Sequence, residues 1–369
     1  MLQQWGAQLG QFRHRKLLRQ ALGPTAGREA CPASRELAAL VDHQFQRWNN
    51  RFVPSADAWA ADLQRLHVEN PSVFVFDLCA SGAVARNKTG LAAAHAVAPA
   101  EARMYTKRVK QYGALLSEVM FLRGRDDSFS LAIDLNDLPL DCERVPLFSF
   151  QKHRDAHNLL LPDVDFFHHA WYGTDRDPVP YEHKSITACF VGASTGRHLT
   201  VDDIKCRSSE RLALAHDFQT SERVTFFIGS AVQCADAAVS ELLRSQPYFS
   251  DPVDWHAQLQ HRFLISVDGN GATCSRVVKS LRSNSVFVKF ESPHELFYFS
   301  LLRPGEHFLS ASSSNNVEVI LDEEAAQPGR YCAIAAAGTA FAHRYLSAPA
   351  VVEYTALMLD RYTAVFPQR

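Results

Sequence analysis

The chain has 369 residues, and at about 150 residues per domain this length predicts two or more packed domains rather than one small module. With 47% hydrophobic and 21% charged residues, the chain can bury enough apolar surface to fold, which excludes wholesale disorder. Its net charge of -2 lacks the basic excess that phosphate-backbone binding requires, so the composition predicts no nucleic-acid partner.

Four apolar residues at the start of the chain, Leu2, Trp5, Leu9 and Phe12, recur at helical spacing ahead of a basic run. Such an amphipathic helix either docks on its own domain or lies on an anionic membrane surface, and the pattern leaves both interpretations open. In the second case the protein would be peripheral at the inner membrane. Residues 34–67 are also predicted to be helical.

From about Pro71, short apolar runs between polar segments predict parallel core strands that are covered on both faces. These runs are 72–78, 128–135, 145–150, 187–191, 223–228, 263–267, 285–290 and 307–311. Helix-like segments alternate with the later strands, which is typical of βαβ units. They are 202–216, 234–244, 275–282, 293–301 and 317–324, and two longer helices at 330–346 and 350–366 are predicted to close the chain.

The eight cysteines are scattered, with no CxxC pair and no Cys/His spacing that suits tetrahedral zinc. This pattern favours a reduced chain without a metal site. The first residues lack the basic-then-apolar order of a secretory signal, and no apolar stretch reaches the roughly 20 residues that a spanning helix needs. We therefore expect a cytoplasmic protein.

The segment 263–281 combines a buried strand, the glycine turn 268–271 and the start of a helix. Thr273 and Ser275 are predicted to precede that helix, which carries Arg276. Free backbone amides and the helix dipole attract phosphate oxygens, so this order predicts an anion cradle with a guanidinium beside it. In the alternative interpretation the turn is an ordinary one, and Thr273 or Ser275 only caps the helix.

A second strand that leads into glycines and then into basic residues lies at 187–198. Two such loops in one half of the chain predict one crevice at the carboxyl ends of both strands, where open α/β sheets bind ligands. Gly269 and Gly271 also match part of the dinucleotide fingerprint, although Cys274 replaces its third glycine. Glu291 stands near the place of the ribose-binding acid of that fingerprint, so a nicotinamide-dependent oxidoreductase stays open.

In the first half of the chain, Asp134 and Asp137 lie at or just beyond the end of a predicted strand. A carboxylate there can act as a general base if it faces a cleft. The alternative interpretation is an aspartate that only forms the turn. The residues by themselves leave both open.

Taken together, a series of segments resembles glycosyltransferase family 90, which includes capsule-associated xylosyltransferases, protein O-glucosyltransferases and bacterial lipopolysaccharide-modifying enzymes. The resemblance runs from about Ser128 to Phe366 and rests on the order and spacing of the segments. They are DLNDLP (134–139), VPLFSFQK (145–152), LLLPDVDFF (159–167), ACFVGASTG (188–196), Arg211-Leu212, DGNGATCSR (268–276), LRSNSVFVKF (281–290), HELFYFSLLRPGEHF (294–308) and the terminal helix with Tyr354.

The resemblance implies an α/β chain with the GT-B fold, in which two Rossmann-like domains face each other across a cleft and C-terminal helices close the chain. The polar, proline-containing segment 176–185 supplies the domain boundary. The expected parts are an N-terminal helical region at 1–70, an acceptor domain at 71–180, a domain that binds the UDP-sugar at 181–346 and a C-terminal helix at 347–369.

The resemblance also implies an inverting transfer of glucose or xylose from a UDP-sugar to a hydroxyl of lipopolysaccharide or another glycan or glycolipid, with no cofactor and no metal. A protein acceptor, as in other family members, and a binding module without activity are the alternatives. By motif, Asp137 corresponds to the catalytic base. The positions that correspond to the donor site are Gly192, Ser194, Thr195, Arg211, Asp268, Gly269, Asn270, Thr273, Ser275, Arg276 and Glu295.

The donor loop of this chain departs from that of the animal members, which carry arginine and serine around its first glycine. Here Val191 and Ala193 flank that glycine. The positive charge for the diphosphate must then come from Arg276, Arg211 or Arg197, and the sequence leaves the choice among them open.

Overall fold

The fold was obtained as a computed structural model, which describes residues 13–22, 31–49, 55–87, 98–164, 176–272 and 274–366. These residues form two compact units. Unit 1 holds the described residues up to 164 together with Leu296–Phe299 and those from Arg344 onward, and unit 2 holds those from 176 to Glu295 and Ser300–His343. Both units combine helices with a sheet, so the predicted α/β class is confirmed.

The helices of unit 1 are α1 (13–22), α2 (Ser34–Phe45), α3 (Ala56–Glu69), α4 (Pro99–Leu122) and α12 (Ala348–Val365). Ser55 and Ser347 cap α3 and α12 through their side chains, because a hydroxyl satisfies a backbone amide that the first turn leaves unpaired. The helix predicted at 350–366 is confirmed, whereas the helical stretch predicted at 34–67 is interrupted, because Asn49 and Ser55 have extended backbones between the helical segments. The apolar residues at positions 2–12 lie outside the described residues.

The sheet of unit 1 has the strand order β2-β1-β3-β4-β6, and it is mixed. Its strands are β1 (Val73–Cys79), β2 (Gly82–Ala85), β3 (Phe129–Asp134), β4 (Phe148–Ser149) and β6 (Leu159–Leu160), and the short β5 (Lys152–His153) follows β4. β1 runs antiparallel to both β2 and β3, so the prediction of parallel strands is wrong for β1, whereas β3 and β4 run parallel as predicted. The chain reverses through the two-residue connection from β1 to β2, which can join only antiparallel strands, and β3 then runs in the same direction as β2.

The sheet of unit 2 is parallel throughout, with the strand order β12-β10-β9-β7-β8. Its strands are β7 (Ser185–Ala193), β8 (Val224–Ser230), β9 (His261–Ser266), β10 (Val286–Phe290) and β12 (Leu309–Ala311), and β11 (His294–Glu295) lies between the last two in sequence. All five residues of β10 are buried, as expected for a strand that is covered on both faces. The parallel prediction is confirmed for this half of the chain.

The helices of unit 2 are α5 (Val201–Cys206), α6 (Glu210–Asp217), α7 (Ala237–Arg244), α8 (Trp255–Gln258), α9 (Cys274–Leu281), α10 (Ser314–Ala326) and α11 (Cys332–Tyr345), the last ending in unit 1. The single helix predicted at 202–216 is in fact two. Arg207 adopts a left-handed φ of 55°, which ends α5, and the Ser209 side chain caps α6.

The helix predicted at 293–301 is wrong. This segment forms β11, a turn and a single 3-10 turn at Phe299–Leu301. Leu296, Phe297 and Tyr298 are three consecutive buried side chains, whereas an amphipathic helix buries only every third or fourth residue. No helix within the described residues combines the length and the apolar character that crossing a bilayer requires.

Candidate functional site

Two glycine loops of unit 2 follow strands that are hydrogen-bonded neighbours. β7 runs into the loop 192–196, and β9 leads into the loop 267–271. The strand order reverses between these two strands, because β8 lies on the far side of β7 while β10 and β12 lie beyond β9. Doubly wound sheets bind ligands outside the carboxyl ends of their strands at such a reversal. Both loops therefore lie where a ligand is expected.

The two loops contact each other through backbone and amide groups. The amide of Gly196 donates to Asn270 Oδ1 at 3.0 Å and to Gln233 Oε1 at 3.2 Å. Gly196 has a φ of +122°, and a Cβ placed on it would lie 3.2 Å from the carbonyl oxygen of Gly269. Only glycine combines this backbone angle with so close an approach, so the glycine turn is required by the contact between the loops.

Arg211, on α6, donates hydrogen bonds to both loops. Its Nη1 donates to the carbonyl of Ala193 at 2.6 Å and to Thr195 Oγ1 at 2.8 Å, both in the first loop. Its Nε donates to the carbonyl of Asp268 at 2.9 Å and its Nη2 to that of Val267 at 2.9 Å, both in the second. The side chain predicted to bind phosphate thus orders the two loops against each other.

Gly269, in the second loop, lies against both this arginine and Thr195 of the first loop. A Cβ on Gly269 would lie 2.3 Å from Thr195 Oγ1 and 2.8 Å from Arg211 Nη2. Both atoms are held by hydrogen bonds, because Thr195 Oγ1 accepts from Arg211 Nη1 at 2.8 Å and Arg211 Nη2 donates to the carbonyl of Val267 at 2.9 Å. The position therefore has no space for any side chain.

Arg276 lies in the first turn of α9 and is hydrogen-bonded to β7. Its Nη2 donates to the carbonyl of Val191, and its Nη1 donates to Gln258 Oε1 at 3.1 Å. Its guanidinium lies 4.7 Å from the ring centroid of Phe190 and 5.6 Å from that of Trp255. The carbonyl, the amide oxygen and the two rings hold the guanidinium in place.

Two positive charges therefore share one aromatic ring. The guanidinium of Arg211 lies 5.2 Å from the centroid of Phe190, the ring that Arg276 also contacts. Burial, and then the charge of Arg276, lower the pKa of Arg211 to about 10, and burial lowers the pKa of Arg276 to about 10 as well. Both groups remain protonated at neutral pH. The positive charge at the ends of β7 and β9 favours binding of an anion there.

The carboxylate of Asp268 is held by side chains of β10 and of the segment that follows it. Ser292 Oγ donates to Asp268 Oδ2, and His294 Nδ1 lies 2.9 Å from the same oxygen. Lys289 Nζ lies 3.8 Å from Asp268 Oδ1. Glu295 follows His294 in β11. The segment after β10 thus reaches the second glycine loop through Asp268.

The remaining positions of the first loop are engaged in the fold. Ser194 is 3% exposed, donates from its Oγ to the carbonyl of Val232 at 2.8 Å and accepts from the Val232 amide at 2.9 Å. A Cβ on Gly192 would lie 2.7 Å from the ring of Phe190. These two residues shape the loop and attach it to the segment after β8.

At the second loop, helix α9 begins at Cys274, so Ser275 lies inside its first turn instead of preceding it. Ser275 is half-buried there. Thr273 lies outside the described residues. Arg197, the third candidate for phosphate charge, pairs with Asp203 at 3.0 Å and has an exposed side chain.

In unit 1, the two aspartates after β3 have different environments. Asp134 is 1% exposed, and its carboxylate accepts from the amides of Asn136 at 2.9 Å and Leu140 at 2.7 Å. Its carboxylate therefore shapes the loop. Asp137 lies within that loop with a third of its side chain exposed. Of the two, Asp137 is the carboxylate that is open to an incoming group.

Two side chains hold Asp137. Arg108 Nη2 donates to Asp137 Oδ1 at 2.8 Å, and its Nη1 donates to the carbonyl of Leu135 at 2.6 Å. Gln151 Nε2 donates to the backbone carbonyl of Asp137. An exposed carboxylate with a fixed position can accept a proton from a hydroxyl that is brought against it.

Sequence reasoning missed several residues that hydrogen-bond to the predicted site residues or to the glycine loops. They are Arg108, Gln151, Gln233, Gln258, Ser292 and His294. Arg108 is 29 residues from Asp137 and lies on a different element, so no local pattern signals it. Ser292 and His294 directly precede Glu295, which the resemblance had singled out. That proximity was a signal, although it did not reveal the contact with Asp268.

Comparison with known proteins gives one family. A family model described as glycosyl transferase family 90 matches residues 120–368, about two thirds of the chain. No curated protein matches the chain significantly. The match includes both glycine loops and Asp137, while Arg108 lies before it.

Proposed function

Because this chain belongs to glycosyltransferase family 90, we propose that it transfers glucose or xylose from a UDP-sugar to a hydroxyl of lipopolysaccharide or another surface glycan. We assign the nucleotide to the glycine loops of unit 2 and the acceptor hydroxyl to Asp137 of unit 1, within a GT-B arrangement. The proposed transfer inverts the anomeric carbon and uses no catalytic metal. The proposed location is the cytoplasm, with the protein peripheral at the inner membrane if residues 2–12 bind lipid.

One observation carries the proposal. The loops 192–196 and 267–271 meet at the reversal of strand order in a parallel sheet, beside two guanidinium groups. Backbone amides, the start of the eight-residue helix α9 and fixed positive charge are the groups that bind phosphate oxygens in proteins. A UDP-sugar presents two negative phosphates to such a site. The choice of UDP, of the sugar and of the acceptor rests on the family.

The chemistry follows from these groups. Asp137 removes the proton of the acceptor hydroxyl as its oxygen attacks the anomeric carbon, and the bond from that carbon to the β-phosphate oxygen breaks. UDP leaves with the negative charge of that bond. Arg276, the loop amides and the helix start lower the energy of the departing diphosphate, which is a fixed electrostatic contribution of the kind that commonly dominates catalysis.

The donor is tested by nucleotide binding and then by turnover. UDP is expected to raise the thermal unfolding midpoint while NAD leaves it unchanged, and UDP release is expected from UDP-glucose or UDP-xylose when purified lipopolysaccharide is added. Addition of EDTA is expected to leave that release unchanged. Stabilisation by NAD but not by UDP would favour the nicotinamide-dependent oxidoreductase and overturn the proposal.

The same assay separates the remaining alternatives. UDP release that requires a polypeptide with free serine or threonine hydroxyls, and not lipopolysaccharide, would identify a protein O-glycosyltransferase. Tight UDP binding with intact UDP-sugar after long incubation with both acceptors would identify a binding module. Variants that remove an arginine near the glycine loops need a control for the loss of one positive charge. Arg303→Ala serves as that control, because its side chain is 72% exposed and the ion pair found for it is with Glu306.

A further inference from the structure

We propose that Arg108 is the positioning residue for Asp137: it fixes the direction of that carboxylate toward the acceptor hydroxyl by binding the carboxylate and the end of β3 at the same time. This inference rests on the proposed function, in which Asp137 is the base. The family match begins after Arg108, at residue 120, so the match itself assigns nothing to this arginine.

The first step of the argument is the loop that carries Asp137. The carboxylate of Asp134 accepts from the amides of Asn136 and Leu140, and these two bonds shape the backbone between them. Gln151 holds the carbonyl of Asp137 from the other side. The backbone of Asp137 is thus fixed, and the direction of its carboxylate depends on the groups that contact the side chain.

The second step is the geometry of the guanidinium. Nη1 of Arg108 donates to the carbonyl of Leu135 at 2.6 Å, and Nη2 donates to Asp137 Oδ1 at 2.8 Å. The guanidinium also lies 4.7 Å from the ring centroid of Phe150. A planar group with three anchors has little freedom to rotate, and it transfers that rigidity to the carboxylate it binds.

The third step is exposure. The side chain of Arg108 is 12% exposed, whereas that of Asp137 is 33% exposed. The arginine therefore lies behind the carboxylate, and the carboxylate is the member of the pair that reaches solvent. This is the arrangement expected when one group orients another that meets the substrate.

The fourth step is chemical. A guanidinium presents several N–H donors in one plane, so one side chain can bind the carbonyl of Leu135 and the carboxylate of Asp137 at the same time. A lysine keeps the charge but not the planar fork with two parallel donors. Charge and orientation can therefore be separated by comparing alanine with lysine at this position.

The experiment uses the full-length protein with UDP-glucose and lipopolysaccharide as probes. Arg108→Ala is expected to lower kcat about 10- to 100-fold, the loss that a misplacement of about 1 Å produces, with KM for UDP-glucose and UDP affinity unchanged. Arg108→Lys is expected to recover part of kcat, and millimolar guanidinium ion is expected to rescue Arg108→Ala but not wild type. Arg103→Ala, an exposed arginine on the same helix, is the matched control and is expected to match wild type.

The outcomes separate this inference from the proposed function. If Asp137→Asn abolishes turnover while Arg108→Ala keeps wild-type kcat, the positioning role alone is wrong. If Asp137→Asn keeps full turnover, the assignment of the base is wrong. In the double variant, removal of Arg108 is expected to cost nothing beyond Asp137→Asn, since the arginine acts through that carboxylate. An additional loss would overturn the inference.

A crystallographic comparison does not depend on the choice of donor or acceptor. The Asp137 carboxylate is expected to occupy one position in wild type and to be displaced or to adopt several positions in Arg108→Ala. The same single position in both crystals would overturn the inference, and a lowered unfolding midpoint without displacement would show a structural role only.

Discussion

The amide of Gly196 donates to Asn270 Oδ1 at 3.0 Å, so a side chain of one glycine loop binds the backbone of the other. The two residues are 74 positions apart in sequence. This bond and the bonds of Arg211 to both loops make the loops one structural unit at the ends of β7 and β9. A ligand that contacts either loop therefore depends on both.

Asn270→Ala is expected to weaken UDP binding about 3- to 10-fold, because a neutral hydrogen bond contributes about 0.5–1.5 kcal/mol and a less ordered loop binds less well. Calorimetric titration with UDP measures this change. Asn315→Ala, at an exposed position on α10, is the matched control. Equal affinities for the two variants would contradict a role of the contact in binding.

Gly269→Ala is expected to destabilise unit 2 by about 1–3 kcal/mol, the usual cost of forcing an extra methyl group into a packed site. The new Cβ would meet Thr195 Oγ1 and Arg211 Nη2, so UDP affinity should fall as well. Gly305→Ala separates backbone strain from steric contact: its φ of +77° is one that L-residues rarely adopt, but a Cβ there meets nothing within 4 Å, so this variant is expected to keep UDP affinity. Thermal unfolding and UDP titration of both variants test this, and an unchanged midpoint for Gly269→Ala would contradict it.

Arg276→Ala is expected to lower UDP affinity about 10- to 100-fold, because a charge-assisted hydrogen bond contributes about 1.5–3 kcal/mol. Arg276→Lys keeps the charge and separates an electrostatic effect from the loss of the bonds to Val191 and Gln258. Arg303→Ala is the control for net charge. A dissociation constant for UDP that does not change in Arg276→Ala would remove this arginine from the proposed phosphate site.

Asp137→Asn is expected to retain UDP binding and to lose turnover about 10²- to 10⁴-fold, the range that a general base contributes. The amide preserves the size of the side chain but cannot accept the proton. Asp155→Asn is the control, because Asp155 lies in the same unit with a side chain that is 79% exposed. Turnover equal to that of the control would show that another group takes the proton.

The stability of the protein is expected to fall in mild acid because of partly buried histidines, and His261 illustrates the sign. Burial, with Lys184 nearby, lowers the pKa of His261 below its ordinary value of 6.5. Below pH 6.5 the unfolded chain therefore binds a proton that the folded chain does not, so this contribution to stability is complete above pH 6.5 and is lost as the pH falls toward the folded pKa.

Replacing His261 with a residue that does not titrate is expected to make the stability of the protein less dependent on pH. His261→Asn is expected to lose less free energy of unfolding than wild type between pH 7.5 and pH 5, as measured by urea titrations at both pH values. His198→Asn, at an exposed position of the same unit, is expected to follow wild type. A steeper acid loss in His261→Asn than in wild type would contradict the assigned sign.

Unit 2 shows which features of the fold could be predicted from the sequence alone. Its five strands are apolar runs bounded by polar segments, and the glycine turns at 192–196 and 268–271 follow two of them. These features depend on neighbouring residues, so a linear pattern is enough to find them. The segments on which the resemblance rests are of the same local kind, and the match to the family model confirmed the family.

Other features depended on contacts between distant residues. Four features have no local pattern: the antiparallel pairing of β1 with β3, the burial of Leu296, Phe297 and Tyr298, the bonds from Arg211 to both loops, and the pair of Arg108 with Asp137. A sequence shows which side chains can donate, accept or carry charge. Which of them meet is decided only when the folded backbone brings distant segments within hydrogen-bond distance, because a hydrogen bond acts over about 3 Å whatever the separation along the chain.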